Sequence, residues 1–260
     1  MTVAAIHSTA IVDPKATLAD DVTVGAYSII GAGVEIGAGT VIGPHAVVLG
    51  PTRIGRGNHI FQFASIGDVP QDKKYDGEDS RLEIGDHNVF RECCTVNRGT
   101  VTGALVTRIG SDNLFMAYTH VAHDCIVGSH CIMANYATLA GHVELDDWAI
   151  LGGYAGVHQF CKIGAHAFLA NNSAATRDVP PYVMAAGAPA EPKGINAEGL
   201  KRRGFDAQAI TRIKNAYRVL YRTGLKLAEA TEQLHLLATT QPEVQLLVEF
   251  LPRVTRSLIR

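Results

Sequence analysis

The sequence predicts a mainly β fold: a parallel β-helix of six-residue repeats over residues 1–189, followed by a small helical domain over 190–260. Three observations predict it. A large apolar residue returns at every sixth position through most of the chain as far as Leu169. The spacing survives a polar interruption at 68–81 and resumes in phase. It stops near residue 178, where prolines give way to segments with helical spacing.

The first register occupies positions 6, 12, 18, 24, 30, 36, 42, 48, 54, 60 and 66 and reads Ile, Val, Leu, Val, Ile, Ile, Ile, Val, Ile, Ile, Ile. The second runs in steps of six from Ile109 to Leu169, and Ile84, Phe90 and Val96 join the two. A helix repeats at 3.6 and a strand at 2.0, so neither sustains this spacing. A unit of short strand plus turn does, and three such units close one triangular coil. The register residue points into the prism. A small residue four positions on, such as Ala10, Ala16, Ser28, Ala46, Ala64 or Ala137, packs near a corner. Glycine often follows the register residue, as at Gly25, Gly31, Gly37, Gly43, Gly55 and Gly110, where the chain is expected to turn and a Cβ would clash. Segment 68–81 reads as a loop ejected from the prism. A slip of register by one position between Val96 and Ile109 implies a second, smaller bulge. Loops on a rigid scaffold often carry function.

Pro180, Pro181, Pro189 and Pro192 mark the linker. Asp206 then reads as the N-cap of a helix that ends near Gly224, with further helices over Leu227–Leu237 and Glu243–Leu251, the last stopped by Pro252.

No apolar run approaches the roughly 20 residues that a membrane span requires. The start, Met1-Thr-Val-Ala-Ala-Ile-His, has no basic stretch before an apolar one, so no secretory signal is expected. The five cysteines (Cys93, Cys94, Cys125, Cys131, Cys161) are odd in number and form no C-x-x-C pair, which fits reduced thiols in a cytoplasmic protein. The net charge of −2 hides an asymmetry: residues 1–189 hold 11 basic and 18 acidic side chains (−7), and residues 190–260 hold 12 and 7 (+5). The basic tail reads either as a solvated helical surface or as a docking face for an acidic partner. Basic and aromatic residues do not interleave there, which argues against nucleic acid.

The coil turns the sequence into a map, because positions one triangular turn apart stack at the strand spacing of about 4.8 Å. His123 lies under Gly141 and Gly141 under Gln159; Asp124 lies under His142; Asn135, Gly153 and Asn171 form another column. A neutral imidazole beside a carboxylate suits a general base, and a glycine N–H above it suits an oxyanion donor. The plainer alternative is a surface histidine, against which stands the cluster of His120, His123, His142 and His158 within a few coils. Clustered histidines also suit a metal, but these share no column and His142 falls one position off the register of His123, so no metal site is expected within one chain, and one across a subunit boundary stays the alternative; no cofactor is expected. Cys125 falls at a small, inward position, where a thiol packs rather than reacts.

The segments Asn113–Cys125, Leu139–Val143, Val157–Cys161, Gln71–Tyr75 and Glu198–Phe205 resemble the UDP-N-acetylglucosamine O-acyltransferase family, and the likeness runs through nearly the whole chain. The resemblance implies a left-handed coil and a homotrimer with active sites between neighbouring prisms. It implies transfer of an (R)-3-hydroxyacyl chain from acyl carrier protein to the glucosamine 3-hydroxyl of UDP-N-acetylglucosamine, the first step of lipid A synthesis. By matching motif, His123 would be the base, with Asp124 beside it, and the Gly141 N–H the oxyanion donor. Gln71, Asp72, Lys74, His120, His142, His158 and Gln159 would line the sugar and acyl site. Asn196, Glu198, Arg202 and Arg203 would hold the nucleotide, and Asn171 would act as a ruler of acyl length. The sequence departs from the expected pattern at Asn97, where the family is expected to carry His, and at Asn171, where glycine is expected. Two rivals are weighed. The related N-acyltransferase should carry an N-terminal uridine-binding domain, for which hexads starting at Ile6 leave no room. A scaffolding β-helix without chemistry would not need the His123/Gly141 column or the loop at 68–81.

Overall fold

A computed structural model describes residues 4–260. Among the described residues twenty-eight short strands wind into three faces, parallel throughout except for the last strand. The first face has eleven strands, from Ala5–Ile6 to Glu191–Ile195; the second has nine, from Ile11–Val12 to Ala174–Ala175; the third has eight, from Thr17–Leu18 to Lys162–Ile163. Within the prism each strand pairs in parallel with the strand one coil on, as Val24 with Ile42 and Val121 with Leu139. The register residues fill the prism: Ile30, Ile42, Ile54, Ile60, Ile66, Phe90, Phe115, Met133 and Leu139 are all buried. Phe90 and Phe115 stack at 4.7 Å across one step.

The turns differ from the expectation in one respect. Gly25, Gly31, Gly37, Gly43, Gly55 and Gly110 do not take the left-handed conformation, although Gly67, after Ile66, does at φ 80°. The six are there because the next coil is too close: a Cβ on Gly25 would lie 2.6 Å from the Pro44 nitrogen. Gly33, Gly39 and Gly57 take left-handed corners in the early coils, and most of the others fall on side chains that stack into columns. Tyr27, His45, Phe63, Tyr118, Tyr136 and Tyr154 line the edge between first and second faces; Asp124, His142 and Phe160 the edge between second and third; Asp112, His130, Trp148 and His166 the edge between third and first. A non-glycine residue at positive φ costs of order 1–3 kcal/mol. Ring stacking, at 4.9 Å for Tyr118 on Tyr136 and 4.7 Å for Tyr136 on Tyr154, offsets part of that cost.

Both interruptions leave the prism and return in register. The main chain of Asn88 bonds to the side chain of Asn58, that of Asn113 to Asn88, and that of Cys131 to Asn113. Each of these bonds spans one coil. The Asn113–Cys131 step has the ordinary length in sequence, whereas the two steps before it are longer, and the surplus is the chain that each excursion ejects. The three asparagines form a buried ladder, each Oδ1 accepting from the main chain one coil up.

The prism's first face extends past residue 189, because Glu191–Ile195 folds back antiparallel on Val183–Ala186. Helices α1 (Ala197–Arg202), α2 (Ala207–Tyr221), α3 (Leu227–Ala238) and α4 (Gln245–Phe250) follow. Asp206 caps α2 as expected, accepting from Ala209 N–H at 2.7 Å. The expectation missed α1. Leu200, Ile213, Leu234, Val244 and Leu247 form the helical core around Tyr182, whose hydroxyl donates to the Glu243 carbonyl at 2.8 Å. The chain end returns to the prism, where the Asp178 carboxylate accepts from the N–H groups of Thr255 and Arg256. Among the described residues no helix is long and apolar enough to cross a membrane.

Asn88 is the middle rung of the ladder and fully buried. Asn88→Ala should cost about 2–3 kcal/mol in chemical denaturation, because it orphans partners above and below. A loss under about 0.5 kcal/mol would show that the ladder does not hold the coils across the insertions.

Candidate active site

The edge between second and third faces carries the polar cluster. Asp124 takes the left-handed corner at φ 59°, and its side chain is 3% exposed. The Thr100 N–H donates to its carboxylate at 3.0 Å and the Thr100 hydroxyl at 2.6 Å. Its own N–H donates to Thr107 Oγ1 at 2.8 Å. His123 Nδ1 lies 2.9 Å from Asp124 Oδ2. An ionised carboxylate only accepts, so Nδ1 carries the ring proton and Nε2 keeps a free electron pair. Burial pushes the Asp124 carboxyl up, but the bonds from His123 and Thr100 outweigh it and hold the group below the usual carboxylate range. It stays ionised at neutral pH and fixes the imidazole.

Gly141 lies over that ring. A Cβ there would sit 2.5 Å from His123 Cε1, so the coil above can approach only as glycine. Its carbonyl accepts from Phe160 N–H at 3.1 Å, while its own N–H meets no acceptor among the described residues. A groove of about 560 Å³ on the second face is lined by Gln71, His120, His123, Gly141, Gly156 and His158, among others. His120 Nδ1 is 2.7 Å from Thr95 Oγ1; burial, and then nearby His123, push its pKa down, which keeps it neutral. His158 is exposed at the rim, with Nδ1 3.2 Å from the Gln159 carbonyl.

Other expected residues do not line this groove. His142 turns round the edge into a second groove, of about 610 Å³, with Asp124, Glu144, Phe160, Lys162 and Arg256. Counting coils places it above Asp124 but does not say on which side of the corner. The loop brings Gln71 to the first groove; Asp72 instead accepts from the Lys74 N–H at 3.0 Å, and Lys74 is exposed. Gln159 is exposed, its carbonyl accepting from Arg256 Nε at 3.3 Å. Asn171 is exposed, and its Oδ1 accepts from Gly153 N–H at 3.0 Å. Asn97 is buried and donates to the Val69 carbonyl at 2.7 Å, which pins the start of the loop. The off-register spacing of His123 and His142 argues against their convergence. At the corner, however, one ligand atom from each of His123, Asp124 and His142 falls within 4.8 Å of the others.

The residues expected to hold the nucleotide gather at another edge, between third and first faces. Arg203 Nη1 lies 3.0 Å from His166 Nδ1, and its guanidinium sits 5.3 Å over Trp148. Asn196 is the N-cap of α1; its amide accepts from Gly199 N–H and donates to the His166 carbonyl. Glu198 pairs with Lys201 in solvent, and Arg202 is exposed. The width of the third face separates this group from His123 within one chain.

Comparison with known proteins decides the family. The model described as Udp N-acetylglucosamine O-acyltransferase, Domain 2, matches residues 178–259, and the bacterial transferase hexapeptide model matches 4–38 and 106–141. The acyl-[acyl-carrier-protein]--UDP-N-acetylglucosamine O-acyltransferase of Thiobacillus denitrificans is 58% identical over 257 residues, covering 99% of this chain and all of that one. The chain belongs to the UDP-N-acetylglucosamine O-acyltransferase family. Two solved structures agree. UDP-N-acetylglucosamine acyltransferase of Francisella novicida superposes with a TM-score of 0.96 at 43% identity, covering 98% of this chain and 94% of that one. UDP-N-acetylglucosamine O-acyltransferase of Moraxella catarrhalis gives 0.96 at 45%, covering 98% and 99%. The fold is thus a left-handed parallel β-helix with a helical C-terminal domain.

In this family member the sequence reading misses Thr100, Thr107 and Thr95, which hold Asp124 and His120. Thr100 lies in the second excursion, outside the repeat, and the slip of register there is its sole trace.

His166 shows a pH effect. Burial, and then the charge of Arg203, push its pKa down to about 4 from 6.5. The unfolded chain binds the proton first as pH falls, so stability is complete above about 6.5 and drains away toward about 4, by up to about 3 kcal/mol. His166→Asn should flatten that slope in urea titrations across the window. An unchanged slope would place the acid lability elsewhere.

Proposed function

We propose that the chain transfers a 3-hydroxyacyl group from acyl carrier protein to the 3-hydroxyl of UDP-N-acetylglucosamine, the first step of lipid A synthesis, with His123 as general base. The observation that carries this reading is the ionised Asp124 holding the His123 ring beneath Gly141, whose N–H meets no acceptor among the described residues. Nε2 takes the proton of the attacking sugar hydroxyl. The oxygen bonds to the thioester carbon, negative charge develops on the carbonyl oxygen, and the Gly141 N–H donates to it. The imidazolium is stabilised by Asp124, and its proton returns to the departing thiolate as the thioester bond breaks.

The site is completed by a second copy in a homotrimer. The first face presents Val89, Leu114, Ile132, Ile150, Phe168 and Met184 outward. Beside them, Tyr27, Phe63, Tyr118, Tyr136 and Tyr154 are 42–62% exposed. Apolar surface of that extent favours a partner. Three copies closed about this edge set the first face of one against the second face of the next. That closure roofs the groove of one copy and carries the neighbour's Arg203 edge toward it, with Asn196, Glu198 and Arg202. In this reading Asp72, Lys74, His142, Gln159 and Asn171 also act from the shared cleft.

Lys214 and Arg218 on α2 and Arg222 at its C-cap form an exposed basic row at helical spacing and suit the acidic acyl carrier protein.

His123→Ala should lower kcat/KM by about 10² to 10⁴ with the melting temperature unchanged; near wild-type turnover would refute the mechanism. Arg218→Glu with Arg222→Glu should raise KM for the acyl carrier protein substrate and leave that for the sugar nucleotide alone. The effect should shrink in high salt, since screening shortens to about 3 Å at 1 M. An effect independent of salt would contradict steering by charge.

A further inference from the structure

We propose that His123, Asp124 and His142 form a binding site for a transition-metal cation of the Zn²⁺ class, and that its occupancy excludes acyl transfer. His123 Nδ1 is 2.9 Å from Asp124 Oδ2, and His142 Nε2 is 3.9 Å from the same oxygen. All three ligand atoms lie within 4.8 Å of one another. Tetrahedral zinc with bonds of about 2.0–2.1 Å spaces its donors about 3.4 Å apart. The two gaps to the Asp124 oxygen reach it by shifts of roughly half an ångström, one opening and one closing, and the third gap, between the two rings and within 4.8 Å, closes by up to about 1.4 Å.

Two further observations point to a cation. His142 is 13% exposed at its side chain, yet neither ring nitrogen has a hydrogen-bond partner among the described residues. Its Nε2 faces the carboxylate at a distance too long for a direct hydrogen bond. The carboxylate is also braced as ligands usually are, by the Thr100 N–H and hydroxyl. Left-handed corners at φ 59° and 61° hold Asp124 and His142 one coil apart. Entry is through the groove on the third face. Of the charged groups there, Lys162 is tied to Glu144 at 2.7 Å and Arg256 lies 5.5 Å over the Phe160 ring. Two imidazoles and one carboxylate select zinc, cobalt or nickel over magnesium.

The chemistry is exclusive. Neutral His123 carries one ring proton. When the cation takes the Nδ1 electron pair, that proton sits on Nε2, no proton is lost from the ring, and no pair remains to accept one from a sugar hydroxyl. Inhibition therefore rests on His123 being the base; binding does not.

Cobalt reports the site directly. Titrating the purified protein with Co²⁺ should give visible d–d absorption that saturates at one ion per chain, is abolished by Zn²⁺ and is untouched by Mg²⁺. His142→Ala, and His142→Phe, which keeps the stacking on Phe160, should each weaken binding at least about tenfold. His130→Ala, at the other His–Asp pair, should not. Absence of the band, or affinity unchanged in both His142 variants, would overturn the site. Binding as described with no inhibition of transfer by Zn²⁺ would overturn the exclusion and count against His123 as base.

Discussion

The structure depends on one constraint: each coil must bring its main chain into register with the coil below on all three faces at once. Parallel pairing at one-coil spacing satisfies the backbone hydrogen bonds, and the inward aliphatic residue of each strand then lands on its counterpart. An insertion is tolerated only if it leaves and re-enters at the same point. The chain meets that demand twice, at 68–81 and again between Asn97 and Val106, and the Asn58–Asn88–Asn113 ladder spans both gaps. The polar residues displaced from the prism by those excursions, Gln71 and Thr100 among them, are the ones that reach the groove or brace Asp124.

The corners connect the fold to the chemistry. A left-handed turn at Asp124 points its carboxylate back along the edge, within reach of His123 on one side and His142 on the other. The glycine one coil up lets the backbone settle on the imidazole. Burial would raise the carboxyl, yet three donors keep it ionised, so the His123 tautomer is fixed by the same bonds that close the corner.

Much of this is legible in the sequence because the register is itself a coordinate system. The stacking of Gly141 on His123 follows from counting one coil along the chain. What counting cannot give is the side of an edge that a corner residue faces, so a count alone leaves open which groove His142 lines. Nor can it place Thr100, which lies in an excursion outside the count. Asn196 shows a different limit. Asn before Ala-Glu-Gly is an N-cap signal, and that role competes with a nucleotide contact for the same amide; in the structure both its oxygen and its nitrogen are engaged by protein. The glycines after the register residues do mark places where a Cβ would clash, but most of the left-handed turns belong to the aromatic, histidine and aspartate columns.

One chain holds His123 on one edge and Arg203 on another, so the central claim is that two copies make each site. Mixing subunits tests it. His123→Ala and Arg203→Ala chains, each inactive alone, would be unfolded together in equal amounts and refolded into mixed trimers. If one copy supplies His123 and its neighbour Arg203, every mixed trimer contains one intact junction. Activity should then return to about a quarter of the wild-type level, the share of intact sites under random assembly. Mixed trimers that remain as inactive as either parent would contradict a site shared between copies.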